Sequence, residues 1–263
     1  MFITMFNFVY KDIDFAHKLD KAGLPNEDYG KHMHHFYEIL FFIKGDVHYT
    51  IESNTEKLRE GDLLIIHPGQ YHFAVVNGGL SYERYVLKFP SSVLPQYLEE
   101  RLKEKNPCFI RNLNYESSFK EFDLYDSEYK EDDLYTLFIC QLMKLVVSLC
   151  KEKTSTPSIV NNMISKVVSY IDNNIQSPLT LTDISKACHY SKSYISNGFK
   201  QHMKTPIMKY VRYKKMIAAH QMILSGEKKR VVANMFGYDD YSTFYRTYKK
   251  AINNQQTDSK YDS

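Results

Sequence analysis

The chain has 263 residues, 43% of them hydrophobic and 25% charged, which excludes a disordered polypeptide and supplies apolar material for two cores. Net charge is only +3, but residues 1–150 carry 16 basic and 23 acidic side chains, net −7, while residues 151–263 carry 18 and 8, net +10. An acidic half joined to a basic half predicts two tasks, the second with a polyanion as partner.

The start, MFITMFNFVYKDIDF, has no basic residues ahead of a long apolar run, so it does not read as a secretory signal. Residues 36–89 read as β structure: short runs rich in Val, Ile, Tyr and Phe, punctuated by Gly45, Asn54, Gly61, Pro68-Gly69 and Asn77-Gly78-Gly79, predict a barrel or sandwich. Leading into it, His32, His34 and Glu38 stand at even offsets, which share one face of a strand, and His72 follows later. Imidazoles and a carboxylate converging in a barrel can hold a divalent metal, hydrogen-bond a sugar-like or other polar ligand, or satisfy one another as core residues. The preferred expectation is a ligand site, with no cofactor and no metal assigned; the same four residues are the metal candidates. Nearby Phe36, Tyr37, Phe41, Phe42, Tyr49, Tyr71 and Phe73 suit a sugar face and an ordinary β core equally.

After Pro90 the period changes. Ser91–Lys105 predicts a short helix, and Leu134, Leu137, Phe138, Gln141, Leu142, Leu145, Val146 and Leu149 predict a long one with one apolar stripe. That stripe packs on the barrel or pairs with its copy in a homodimer. The run around it is too short and too interrupted, by Gln141 and Lys144, to span a membrane. Cys108, Cys140, Cys150 and Cys188 show no metal or redox spacing and read as reduced thiols of a cytoplasmic protein. Lys151–Ser158 is polar, contains Pro157 and reads as a linker.

The basic half is helical to about Ala251. In residues 179–203 a helix is expected near Thr182-Asp183 with Ile184 and Ala187 inward, a break at His189-Tyr190, and a second helix capped by Ser191 with Ile195 and Phe199 on its apolar face. Residues 231–250 repeat the plan: Val232 and Phe236, a turn at Gly237, a cap at Asp239 or Asp240, then Phe244 and Tyr248. Two short helices around a tight turn form a helix-turn-helix, and its second helix fits the major groove. A basic helix, MKYVRYKKMIAAHQMIL, joins the two units.

These residues resemble the DNA-binding domain of the AraC/XylS transcription regulators: Ile184, Ser191, Ile195 and Phe199-Lys200, then Tyr210 and Ala219, then Ala233, Gly237-Tyr238, Asp240, Ser242, Phe244, Arg246 and Tyr248-Lys249. Ser185, Gly198 and Lys204 depart from the family pattern, and its closing G-x-S-P is absent. Residues 32–45 and 61–72 are similar to the cupin signature, which the sensor domains of that family also resemble. The resemblance implies a multidomain α+β chain: a cupin-like sensor barrel over 1–90, a coupling or dimerisation segment over 91–150, a linker over 151–158, an all-α domain with two helix-turn-helix units over 159–252, and a polar tail over 253–263. It implies Ser193, Ser196 and Asn197, with Lys192 near phosphate, as contacts of the first recognition helix, and Tyr241, Ser242, Thr243 and Arg246 as those of the second. Lys200, Lys214, Lys215, Lys249 and Lys250 are expected on phosphate. Asn reads adenine and Arg reads guanine. The implied protein is a bacterial regulator, an activator more than a repressor, not an enzyme. Its implied partners are double-stranded promoter DNA, a small-molecule effector such as a carbohydrate, and RNA polymerase. A metal-dependent cupin enzyme with a helical appendage, and a protein that coats DNA without sequence preference, are the rival readings.

Overall fold

The structure, a computed structural model, describes residues 2–22, 31–105, 109–111, 115–123, 129–155 and 159–261. Cys108, Pro157 and the rest of 156–158 of the expected linker lie outside the described residues. The strands are β1 (Phe2–Tyr10), β2 (Ile13–Asp20), β3 (Tyr37–Lys44), β4 (Val47–Ile51), β5 (Asn54–Lys57), β6 (Leu63–Ile66), β7 (His72–Val76), β8 (Tyr82–Phe89), β9 (Phe109–Ile110) and β10 (Ile159–Val160). They form two antiparallel sheets, β1-β2-β8-β3-β6-β9 and β10-β5-β4-β7. The hairpin β1–β2, with Phe8 opposite Phe15, adds to the strands expected over 36–89; its turn places Lys11 at φ 53°.

β3 is buried on both faces because its alternate residues serve two cores. Leu40 and Phe42 face the second sheet, with Tyr49, Ile51, Leu64, Ile66, Val76 and Tyr82. Ile39 and Phe41 face three helices, α1 (Gln96–Lys103), α2 (Glu116–Asp123) and α3 (Glu131–Leu149). The stripe of α3 is spent here: Phe138, Leu142, Val146 and Leu149 are fully buried, and Phe138 stacks on Phe8 with ring centroids 4.0 Å apart. The two alternatives for this stripe therefore resolve toward packing on the sheet, because the β1–β2 hairpin extends that sheet beneath it.

The basic half folds as α4 (Asn162–Asn173), α5 (Leu181–Cys188), α6 (Lys192–Met203), α7 (Ile207–Leu224), α8 (Lys229–Met235) and α9 (Tyr241–Tyr261). Ahead of α4, Ile159–Val160 pairs with β5, so the sheet reaches past the expected linker into the second half. Thr180 and Asp183 close a capping box on α5. Ile184 is buried, but Cys188 and not Ala187 joins it: 188 lies one helical turn on from 184, whereas 187 rotates toward solvent. His189 ends α5 in the left-handed conformation at φ 59°, and Ser191 caps α6 by accepting from Tyr194 N at 3.2 Å. Gly237 turns between α8 and α9 at φ 76°, where Asp240 accepts from Ser242 N and Thr243 N. At Gly198 a Cβ would stand 2.5 Å from Met163 Cε, the mobile end of a flexible side chain of α4 that packs against α6.

The two halves share a core. Met33, Tyr71 and Phe73 of the β domain are buried with Ile164, Ile184, Phe199, Met203, Tyr210 and Ile217. Among the described residues no helix is long and apolar enough to cross a membrane.

Candidate nucleic-acid interface and effector site

On α6 the apolar side, Ile195, Phe199 and Met203, is buried, and Lys192, Ser193, Asn197 and Lys200 are exposed with Ser196 half-buried. On α9, Phe244 and Tyr248 are buried, Ser242, Thr243, Arg246, Lys249 and Lys250 are exposed, and Tyr241 is half-buried against Phe244. All eleven expected positions therefore stand on the two recognition helices off the buried stripes. Arg246 Nη2 reaches Thr243 Oγ1 at 3.4 Å, and that hydroxyl donates in turn to Asp240 Oδ2 at 2.6 Å. Thr243 is thus partly committed to the cap. Sequence reasoning missed two exposed aromatics on these helices, Tyr194 and Tyr245; their positions off the apolar stripes were the available signal.

Two phosphate candidates are corrected. Lys215 is buried, and its Nζ donates to Ser177 O at 2.7 Å and to Phe236 O at 3.5 Å. Lys214 is drawn inward by two carboxylates, Glu52 at 3.0 Å and Asp172 at 2.7 Å. Burial alone would lower its pKa, but Glu52 and Asp172 together hold the ammonium above its usual value. Glu52 sits at the β4–β5 turn with φ 52°; it also accepts from Tyr71 N at 3.0 Å and Tyr210 Oη at 2.8 Å, and its carbonyl contacts His202 Nε2 at 3.1 Å. No short-range sequence pattern signals this network, because Glu52 and Lys214 lie far apart in the chain and meet only through the fold.

In the β domain the four expected residues converge. His34 Nε2 lies 3.0 Å and His72 Nε2 3.8 Å from Glu38 Oε2, and the His32 ring is 4.4 Å from that of His72. His32 and His72 also exchange both backbone hydrogen bonds, at 3.2 and 3.0 Å. Burial lowers His34 to about 4 and takes His72 well below the ordinary imidazole value. Burial pushes Glu38 up, but the His34 contact and the Lys88 charge outweigh it and hold the carboxyl well below its usual range. A cavity of about 50 Å³ opens beside the cluster, lined by Lys18, Tyr49, Phe73, Tyr82, Arg84 and Lys88 as well as His32 and Glu38. A larger cleft of about 780 Å³ runs between the domains, from His35, Tyr37, His67 and Glu99 to Gln221 and Leu224 of α7 and Ser225 just past its end.

Comparison with known proteins bears on both halves. Residues 19–138 match the AraC-like ligand binding domain, and residues 184–255 match a helix-turn-helix domain. The multiple antibiotic resistance protein MarA of Escherichia coli K12 is 30% identical over 87 residues, which span 33% of this chain and 68% of that protein. An HTH-type transcriptional regulator of Staphylococcus aureus is 23% identical over 221 residues, spanning 80% of this chain and 29% of its own length. Crystallised ToxT from Vibrio cholerae O395 aligns over 96% of this chain and 94% of its own at 11% identity and a TM-score of 0.40. A sensor-domain match ahead of a helix-turn-helix match, with regulators among the relatives, sets aside the metal-dependent cupin enzyme. With recognition helices capped and exposed as the fold requires, this DNA-binding regulator with its ligand-binding domain belongs to the AraC/XylS family.

Proposed function

We propose that the chain is a bacterial transcription activator that reads promoter DNA with both recognition helices under control of an effector held in the β domain. One observation carries this reading: on α6 and α9 alike the apolar stripe is buried while Lys192, Ser193, Asn197 and Lys200, or Ser242, Thr243, Arg246, Lys249 and Lys250, face solvent. Asn197 and Arg246 read base edges; Ser193, Ser196, Tyr241, Ser242 and Thr243 assist; the four lysines hold phosphates. The protein works in the cytoplasm, where its DNA lies, and contacts RNA polymerase from the surface left free beside the duplex.

The effector contacts His32, His34, Glu38 and His72. A carbohydrate suits the mixture of Tyr49, Phe73 and Tyr82 with charged groups, but the 50 Å³ cavity must widen to admit one. A homodimer, which doubles the DNA contacts, has to use a face other than the buried stripe of α3.

Selection of duplexes from a random pool by the full chain tests the DNA reading. A defined sequence should be enriched and should stay bound at physiological salt. Binding without enrichment, lost as salt rises, supports sequence-blind coating and overturns the proposal.

A further inference from the structure

Each recognition helix carries an exposed tyrosine outside the expected contacts: Tyr194 on α6, 56% exposed, and Tyr245 on α9, 39% exposed. A lone surface aromatic needs no explanation. Here one arrangement occurs twice. Tyr194 pairs with Tyr190, four residues earlier, with ring centroids 5.4 Å apart, and Tyr245 pairs with Tyr241, also four earlier, at 6.1 Å. A lysine from another helix stands over each pair. Lys166 Nζ of α4 lies 5.7 Å from the Tyr190 ring, and Lys229 Nζ of α8 lies 6.0 Å from the Tyr245 ring. Both lysines are exposed.

The pairing orders both rings before anything binds. Tyr241 and Tyr245 are neighbours on one helix face. Tyr190 is held at the turn before α6, where its carbonyl accepts from Ser185 Oγ at 2.6 Å. A tyrosine has few torsions to fix, so it supplies a large contact area at low entropic cost. The place of each ring is also defined. Tyr194 is the third residue of α6 and stands one turn ahead of Asn197; Tyr245 adjoins Arg246 and stands one turn from both Ser242 and Lys249. The first residues of a recognition helix are those that meet base edges. The charge around the rings is positive, from Lys166, Lys229, Arg246 and Lys249, and this suits a polyanion rather than an apolar protein face as the surface that covers them. In the major groove the base edges are polar except at one point, the C5 methyl group of thymine.

We propose that Tyr194 and Tyr245 each pack on the C5 methyl group of a thymine in the major groove, so that each helix-turn-helix unit requires thymine beside the base that Asn197 or Arg246 reads. The proposal rests on the DNA-reading function proposed above and adds a base preference that its hydrogen-bonding residues do not supply. Lys166 and Lys229 add charge that acts alike on every sequence. The tyrosines therefore contribute to the choice of site, and the lysines beside them to affinity alone.

The test uses the full chain and the duplex it selects from a random pool. Each thymine is replaced in turn by deoxyuridine, which removes the methyl group and keeps the groups that pair and hydrogen-bond. Binding should weaken about 4-fold at one thymine in each unit's half of the site, the worth of one buried methyl. Tyr194→Ala should abolish the penalty in the half read by α6 and leave it in the other; Tyr245→Ala should do the reverse. Both side chains are exposed, so each variant should keep Tm within about 2 °C of wild type. Tyr194→Phe and Tyr245→Phe keep the ring and should keep the penalty. Loss of the penalty in the Phe variants would assign the reading to the hydroxyl and overturn the methyl contact. Tolerance of deoxyuridine at every thymine overturns it as well, and a full penalty in an Ala variant overturns the assignment of that tyrosine. Enrichment of a duplex with no methyl effect sinks the tyrosine contacts alone; no enrichment overturns the DNA-reading function and the tyrosine contacts with it.

Discussion

Recognition helices α6 and α9 carry the same pattern, an apolar stripe turned inward and a polar face turned out, but the cores beneath them differ. The core under α6 contains Met33, Tyr71 and Phe73 from the β domain. The core under α9 is made of Met216, Ala219, Val232, Ala233, Phe236, Phe244, Tyr248 and Ala251, all from the helical domain. The link to the β domain on that side runs through α7, where the rings of His220 and His35 stand 4.4 Å apart and His220 contacts Tyr248 Oη at 2.6 Å. Similar DNA-reading units are thus coupled unequally: a change in the β domain meets α6 directly and α9 through α7.

Breaking the Glu52 network should sharpen this contrast most. Glu52→Ala leaves Lys214 with Asp172 as its one carboxylate and Tyr210 Oη as its other acceptor, and removes the acceptor of Tyr210 Oη and of Tyr71 N, a loss of about 3 kcal/mol. Hydrogen exchange should quicken in α6 and the first half of α7 and stay unchanged in α8 and α9. Equal loss in both units would show that they move as one block.

A second contrast lies within α9. Arg246→Ala should cost about 1–3 kcal/mol on the preferred duplex and little on scrambled DNA, because a guanidinium grips guanine through two parallel hydrogen bonds. Lys249→Ala should weaken both duplexes alike, since one compact charge meets phosphate. Affinities across a salt series separate the two; an even loss for Arg246→Ala would move it to the phosphate contacts.

Acid should strain the α7–α9 contact. Burial, with His35 and Lys229 nearby, lowers His220 to about 4. Its folded pKa lies below the unfolded value of about 6.5, so the unfolded chain takes the proton first as pH falls. The stability this neutral ring supports is present above about pH 6.5 and is lost on the way down to 4; partial solvent exposure makes the effect modest. Tm measured from pH 7 to 4.5 should fall less steeply for His220→Gln than for wild type. Parallel slopes would remove His220 as a cause.

The smallest expected effect is a gain. Lys204 ends α6 at φ 54°, a conformation that costs a residue with a Cβ and suits glycine. Lys204→Gly should stabilise the chain by about 1 kcal/mol in urea unfolding, and a loss would mean that its side chain contributes more than its backbone costs.

The helical half was legible because its signals are local. Ser191 and Asp240 cap where short-range chemistry requires, and Ile195, Phe199, Phe244 and Tyr248 are buried where helical spacing puts them. In the β half the fold does bring His32, His34, Glu38 and His72 together, but not as one strand face: only Glu38 lies on β3, His32 forms an isolated bridge with His72, and His34 stands in coil ahead of the bend that leads into β3. What escaped was non-local. β1 and β2 went unread although Phe6 and Phe8 alternate with polar Asn7: the two pair with each other, but the β8 strand and α3 helix that bury the hairpin lie far along the chain. Lys214 and Lys215 looked like surface cations because only the folded chain brings Glu52 and Ser177 O beside them. The stripe of α3 had two acceptable partners until the β1–β2 hairpin supplied one.

The most direct test of two independent readers compares Asn197→Ala and Arg246→Ala with wild type on every single-base variant of the selected duplex. Each substitution should erase discrimination at its own short set of base pairs, the two sets about one helical turn apart, and leave the other set as in wild type. Loss of discrimination at the same positions in both variants, or a uniform drop over all positions, would contradict the assignment of α6 and α9 as separate base-reading helices.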